Sequence, residues 1–227
     1  MVAHVITDSH YRPAMSFANV RNAIDSLNKY WSPICVKFNL CEYRLDSNYN
    51  FSKWNQDTME KEYIALNFQP RIINIIVVDS IIRPPRAGGY ATLGGIAMRT
   101  GDPVIVVSRF GYKIWIHEMG HYFGLKHPFE ATIANADNLN CATLDDGVCD
   151  TPPDPDSEGD SHNNCQYNGQ FTDANGKYYN PLVENFMSYY GTKLNNAFIV
   201  SGCGRSFTHN QYERMVTTYK IDKEAKF

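Results

Sequence analysis

The sequence predicts an α+β fold, or an α/β fold with a small appended subdomain, in which strands and helices alternate in the first half and one helix closes an irregular second half. Before Pro128, segments with helical or strand-like spacing of apolar residues follow one another. After it, residues 135–180 are dense in Asn, Asp, Gly and Pro and show little periodicity. The 227 residues are enough to bury a core. We therefore expect one domain, 1–227, made of an N-terminal subdomain, 1–127, and a C-terminal subdomain, 128–227.

The first predicted elements are a helix and a strand. Residues 14–30 place apolar side chains at helical spacing, and the Ser32-Pro33 pair ends this helix. The apolar residues concerned are Phe17, Val20, Ile24 and Leu27. Residues 34–40 alternate apolar and polar side chains and include β-branched and aromatic types, so we predict a strand there.

Two further strands and a second helix complete the first half. Residues 72–78 form a continuous apolar run, which fits a central strand covered on both faces, and 104–107 form another strand. Residues 86–101 are glycine-rich and partly apolar, as is typical of a distorted edge strand or a loop. Residues 111–124 then predict a helix.

The closing helix is marked by its first residues. Thr208 and Gln211 have the spacing of a capping box. The apolar face behind them consists of Tyr212, Met215, Val216 and Tyr219. The long irregular stretch before this helix needs fasteners such as disulfides or metal ions if it belongs to a compact domain.

Composition and charge exclude several classes of protein. Hydrophobic residues make up 43% of the chain and charged residues 20%, which is typical of a globular protein. The formal net charge is -3 and no basic stripe is present, so nucleic acid is not an expected partner. No apolar run reaches the roughly 18 residues that suggest a membrane span. We expect a monomer.

The cysteines and the first residues bear on the compartment. Six cysteines without a CxxC pair predict disulfides and an oxidising environment, although some could instead be buried free thiols. Cys35 and Cys41 would lie roughly 20 Å apart on an extended strand, so we do not expect them to bridge each other. The first ten residues lack the basic start and apolar core of a signal peptide. The chain is therefore cytosolic or trimmed from a longer precursor, and the cysteines favour a secreted, trimmed protein.

The segment HEMGHYFGLKHPF, residues 117–129, carries the chemistry. His117 and His121 are four residues apart, so on a helix they share one face and can bind one metal ion. Glu118 lies beside the first imidazole, where a general base is needed. Gly124 can end the helix in a left-handed conformation, which allows His127 to return as a third ligand.

Three imidazoles leave one position of a tetrahedral zinc open, and catalytic zinc sites keep such a position for water or substrate. The sequence therefore predicts a catalytic zinc centre. Two other interpretations remain open. One is a catalytically silent binding module, which would need a fourth protein ligand. The other is a zinc hydrolase that acts on a non-peptide bond.

The motif resembles that of one protease group. HEMGHYFGLKH has the metzincin form HExxHxxGxxH. Metzincins also carry a methionine turn downstream, which ENFMSYY, residues 184–190, would supply. Together with DGVCDTP at 146–152 and the closing Phe-Thr-x-x-Gln-x-x-Arg-Met helix, these segments look most like the pappalysin branch. The resemblance implies a metzincin-like zincin with a twisted, mixed N-terminal sheet and an irregular C-terminal subdomain.

Roles follow from this resemblance. It implies three zinc ligands, namely His117, His121 and His127. Glu118 resembles the general base, Met187 the hydrophobic base beneath the metal, and Tyr189 a donor to the tetrahedral oxyanion. The implied activity is that of a secreted zinc endopeptidase, in which zinc activates the water that attacks the peptide bond. The substrate would be an extended peptide that adds to an edge strand within 86–98.

The resemblance also implies a structural calcium ion near DGVCDTP, with Asp146, Asp150 and Thr151 as candidate ligands because hard oxygens suit calcium. One departure from the family concerns the residues after the methionine turn. Some pappalysins prefer arginine after the cut bond, a preference associated with an acidic residue after the methionine turn. Residues 190–198 contain no acidic residue, so the sequence gives no support for a basic preference.

Overall fold

The computed structural model describes most of the chain, and the chain divides into two compact units, Met1–Tyr122 and a second unit that begins at Phe123. The described residues are 1–55, 58–83, 91–93, 95–97, 104–109, 111–129, 135–141, 146–155, 165–167, 169–190, 192–194, 197–199 and 202–223. None of the helices among these residues has the length and apolar character needed to cross a membrane.

The first unit contains, among its described residues, three helices and eight strands. The helices are α1 (Phe17–Trp31), α2 (Met59–Asn67) and α3 (Tyr112–Tyr122). The strands are β1 (Val2–Ile6), β2 (Glu42–Asp46), β3 (Lys53–Asn55), β4 (Asn74–Val78), β5 (Ser80–Arg83), β6 (Ala91–Leu93), β7 (Gly95–Ala97) and β8 (Val104–Ser108). The predicted helices 14–30 and 111–124 and the strands 72–78 and 104–107 are confirmed.

The main sheet is mixed, as predicted. Its order is β2-β1-β4-β8-β7, and the first four strands are parallel. β7 runs antiparallel to β8 and forms one edge of the sheet. This places a short edge strand within the predicted 86–101 segment, the rest of which, apart from β6, lies outside the described residues. A smaller sheet has the order β3-β5-β6.

The core of the first unit lies on the sheet. β4 and β8 are buried along their whole length, as expected for strands covered on both faces. Alternate residues of β4 and β8 join a cluster with side chains from the smaller sheet and α2. This cluster consists of Ile6, Phe51, Trp54, Tyr63, Ile76, Val78, Ile81, Val104 and Val106. α1 packs against α3, and α3 packs against β7 and β8.

The strand predicted at 34–40 is wrong. A short 3-10 turn, Ser32–Ile34, follows α1, and Cys35 then adopts a left-handed conformation with φ of 57°. The backbone N–H and C=O of Phe38 pair with the side-chain amide of Asn28 at 2.7 and 3.0 Å. Burial still alternates along 34–40, so the apolar pattern is real. Among the described residues, this segment pairs with no strand. The place beside β1 is taken by β2, which lies further along the chain.

The second unit is irregular and covalently fastened, as predicted. Disulfides join Cys141 to Cys149 and Cys165 to Cys203. The unit also contains the hairpin of β9 (Thr192–Leu194) and β10 (Ala197–Ile199). Its helix α4 (His209–Thr218) closes the chain, followed by a π-helical turn, Tyr219–Lys223. The capping box at the start of α4 is present.

Cys35 and Cys41 are free and exposed. They do not bridge each other, as expected. The alternative of buried free thiols is wrong, because the four cysteines of the second unit are paired and the two free ones lie at the surface.

Candidate active site

Helix α3 is held by the core of the first unit. Its side chains Ile114, Trp115 and Met119 are buried, and the helix packs against α1, β7 and β8. A helix buried on nearly every side cannot rotate without moving its neighbours. The polar residues in its second half therefore have fixed directions.

Two imidazoles on α3 are arranged so that both could bind one metal ion. The Nε2 atoms of His117 and His121 lie 3.1 Å apart, and the ring centroids are 4.7 Å apart. Two nitrogen ligands of one tetrahedral zinc, each bonded at about 2.0–2.1 Å, lie about 3.3–3.4 Å from each other. His117 is 3% exposed. The observed spacing therefore fits two ligands of one metal ion.

Gly124 ends the helical segment in the way that the sequence suggested. Its φ is +85°, a left-handed conformation that favours glycine. A Cβ at this position would collide with the Thr218 side chain of α4. The turn allows the chain to pass on to His127, three residues later.

The continuous segment from α3 to residue 129 brings three imidazoles together. Ligand nitrogens of His117, His121 and His127 all lie within 4.8 Å of one another. In the described part of the chain, this is the one group of three or more His, Cys, Asp or Glu side chains close enough to hold a metal ion. Three neutral nitrogen donors suit zinc. These histidines could therefore bind a metal.

Glu118 follows His117 on α3 and is 5% exposed. A carboxylate this deeply buried has lost most of its hydration. The structure thus places the predicted general base next to the first of the three histidines, on a rigid helix.

An aromatic cluster surrounds the third histidine. The ring of His127 stacks on Phe129 with centroids 4.6 Å apart and an interplanar angle of 9°. Tyr189 meets His127 edge to face at 4.7 Å and lies 4.7 Å from Phe129. The predicted oxyanion donor is thus in ring contact with a predicted metal ligand.

The methionine turn is tied to the closing helix by two amides. Met187 is fully buried, and its backbone N–H donates to the Oδ1 of Asn185 at 2.8 Å. The Asn185 Nδ2 donates to Gln211 at 2.8 Å, and the Gln211 Nε2 donates back to Asn185 at 3.2 Å. Gln211 also caps α4 by accepting from the Thr208 N–H at 2.9 Å. The sequence predicts Gln211 as a cap, but nothing in the sequence points to its pairing with Asn185.

The candidate calcium ligands make hydrogen bonds or close contacts with other protein groups. Asp146 accepts from the Val148 N–H at 2.8 Å. Asp150 accepts from the Asn210 N–H at 2.9 Å, in the first turn of α4, where a carboxylate suits the positive end of the helix. The Thr151 hydroxyl lies 3.4 Å from that of Thr208. The described residues show no metal-binding group that includes these acids, so the structure gives the calcium prediction no support.

One histidine outside the motif is buried in the first unit. His4 is 1% exposed, and its Nε2 lies 3.1 Å from the Asn74 Oδ1. Burial lowers the pKa of the His4 imidazole below its ordinary value, because the charged form loses its hydration. His4 therefore belongs to the core rather than to a metal site.

Comparison with known proteins agrees with the predicted resemblance. Residues 111–220 match the model of the family Peptidase_M43, described as pregnancy-associated plasma protein-A. Comparison with curated proteins gives no match. The solved structure of mature mirolysin from Tannerella forsythia, in complex with a cleaved peptide, has a TM-score of 0.61 and 18% identity, and the match covers 96% of this chain and 90% of that chain. At this identity the likeness shows the fold, so the predicted α+β, metzincin-like architecture is confirmed.

Proposed function

We propose that this chain is a metalloendopeptidase, that Glu118 is its general base, and that zinc is held by His117, His121 and His127. The match of residues 111–220 to the Peptidase_M43 model supports the proposal. The observation that carries the proposal is the convergence of three imidazoles beside a buried carboxylate. The domain prediction, a single catalytic domain over 1–227, is part of this proposal.

The three histidines fit zinc by donor type and by spacing. When bound, zinc would supply Lewis-acid chemistry, which acidifies water and polarises the scissile carbonyl. The rigid helix under the first two histidines and the left-handed turn at Gly124 would keep the ligand set assembled.

Glu118 accepts the proton of the attacking water and returns it to the leaving amine. A carboxylate suits both steps because it can hold one proton between them. Its burial removes competing water, which strengthens its interaction with nearby positive charge.

Tyr189 donates its hydroxyl proton in a hydrogen bond to the oxyanion that develops on the oxygen of the scissile carbonyl. Its ring contact with His127 keeps the phenol near the ligand set. Met187 is a buried apolar side chain in the methionine turn, where it excludes water.

The substrate is an extended peptide. β7 is an edge strand of the main sheet, and α3 packs against it, so a peptide added beside β7 would run past the helix that carries Glu118. Main-chain hydrogen bonds to an edge strand are a common mode of peptide recognition.

We also propose that the protein is secreted and made as a longer precursor. Two disulfides in the irregular second unit are consistent with an extracellular location, since such bonds persist in oxidising compartments.

Replacing Glu118 by Gln tests the mechanism. The variant should still bind one zinc, measured by elemental analysis, and should lose cleavage of a peptide library by about 10²-fold or more. Glu213→Gln, on the exposed face of α4, is the matched control and should cleave normally. Full activity in Glu118→Gln would refute the assignment.

The same digest, read by mass spectrometry with and without a zinc chelator, separates an endopeptidase from both alternatives. A silent binding module would give no fragments with either sample. A hydrolase of non-peptide bonds would bind zinc and also leave the peptides intact. Chelator-sensitive fragments are the result expected for an endopeptidase, and their ends would give the residues preferred around the cut.

A further inference from the structure

A buried aspartate outside the zinc motif connects the two stretches that carry His127 and Tyr189. Asp154 is 4% exposed. Its backbone N–H donates to the carbonyl oxygen of Pro128 at 2.8 Å, and its Oδ1 accepts from the Tyr190 hydroxyl at 3.2 Å. Pro128 directly follows His127, and Tyr190 directly follows Tyr189. Each hydrogen bond therefore acts one residue away from a side chain of the proposed site.

The residues that make these two hydrogen bonds are adjacent in sequence to two rings that contact each other. The centroids of His127 and Tyr189 are 4.7 Å apart, and Phe129 contacts both rings. Edge-to-face contacts depend on centroid distance and on angle. A shift of either backbone stretch would therefore change the direction of the imidazole, of the phenol, or of both.

We propose that Asp154 is a positioning residue of the peptidase, which keeps His127 and Tyr189 in the arrangement that the reaction needs. This inference rests on the proposed function. Asp154 acts through its neighbours: its backbone fixes the stretch after the third histidine, and its carboxylate fixes the stretch after the methionine turn. Tyr190 is 1% exposed, so its hydroxyl cannot replace the Asp154 acceptor with bulk water.

Three variants isolate the carboxylate. Asp154→Ala removes the acceptor of the Tyr190 hydroxyl but keeps the backbone N–H that binds Pro128. Tyr190→Phe removes the same hydrogen bond from the other side. Asp154→Asn keeps an oxygen acceptor at the same place and serves as the conservative rescue.

The readouts are kcat, KM and zinc affinity, the last from competition with a chelator. Asp154→Ala and Tyr190→Phe should each lower kcat about 10-fold with little change in KM, and should each weaken zinc binding about 10-fold, the lower end of what loss of a supporting hydrogen bond costs at metal sites. Asp154→Asn should restore both. The double variant should lose no more kcat or zinc affinity than Asp154→Ala alone, because both changes remove the same hydrogen bond.

Asp173→Ala is the matched control for a general loss of stability. Asp173 is another buried carboxylate of the second unit, and it accepts backbone N–H groups of Ala136, Asn175 and Lys177. This control should lower Tm and leave kcat and zinc affinity unchanged.

The proposal is overturned if Asp154→Ala and Tyr190→Phe lower Tm as Asp173→Ala does but keep the kcat and zinc affinity of the unaltered protein. If Asp154→Ala does not fold, Tyr190→Phe alone decides by the same criterion. A failure of the unaltered protein to bind zinc would refute the proposed function itself, and this inference with it.

Discussion

Gly124→Ala should destabilise the protein by an amount that can be worked out from two separate causes. The first is backbone strain, since the φ of +85° places an alanine in the left-handed region at a cost of roughly 1–2 kcal/mol. The second is steric, because the new Cβ would collide with the Thr218 hydroxyl and lie 2.9 Å from its Cγ2. Overpacking of this kind costs about 1–3 kcal/mol. The sum is about 2–5 kcal/mol.

Two further variants separate the causes. Gly176 has a φ of +78°, and a Cβ added there would meet nothing within 4 Å, so Gly176→Ala should show the strain alone. Thr218→Ala removes the atoms that collide, so in the Gly124→Ala background it should return about 1–3 kcal/mol. The assay is the free energy of unfolding from urea titrations.

Equal losses in Gly124→Ala and Gly176→Ala would refute the steric cause. So would the absence of any recovery in Gly124→Ala/Thr218→Ala. Gly124→Ala should also weaken zinc binding, because the left-handed turn at residue 124 positions His127, the third proposed zinc ligand.

Two other outcomes follow from buried polar groups. The lowered pKa of His4 means that the fold favours the neutral imidazole. The free energy of unfolding should therefore fall as pH drops below the unfolded pKa of about 6.5, and it should stop falling once the pH has passed the folded pKa. The slope should be at most about 1.4 kcal/mol per pH unit. Urea titrations between pH 7 and pH 5 should show a smaller decrease in His4→Gln, and an identical decrease would contradict the assignment. Gln211→Leu should cost about 2–4 kcal/mol in the same assay, since it leaves the buried Asn185 amide and the Thr208 N–H without their observed partner. Thr208→Ala, which removes one capping interaction, should cost about 1 kcal/mol, and an equal cost for both variants would show that the amide pair contributes nothing.

The elements that the sequence predicted correctly are those whose signals are local. α1, α3 and α4 have apolar faces at helical spacing, and β4 and β8 are continuous apolar runs. The zinc motif is local too, because its three histidines and Gly124 lie within eleven residues of chain.

The strands β1 and β2 escaped prediction because they depend on distant partners. β2 is an exposed, charged edge strand, which carries a weak apolar signal. Residues 34–40 carry a stronger strand pattern but pair with Asn28 of α1 instead of a strand. β1 was not predicted at all, because its five residues become a strand through pairing with β2 and β4.

The support of the candidate site escaped prediction for the same reason. Asn185 and Gln211 are 26 residues apart, and Asp154 and Tyr190 are 36 apart. Neither pair has a spacing rule, since the contact is made by the folded chain and not by one helix or strand. Side chains of this kind become visible only in three dimensions.

The placement of the disulfides makes the molecule unevenly sensitive to its redox surroundings. Both bonds lie in the second unit, and both cysteines of the first unit are free thiols. A reductant would thus act on the part of the chain that carries His127 and Tyr189, while the sheet and helix that hold His117 and Glu118 contain no bond for it to break. Protein produced in a reducing cytosol would lack both bonds of the second unit, so oxidative refolding would be expected to be needed to recover that unit.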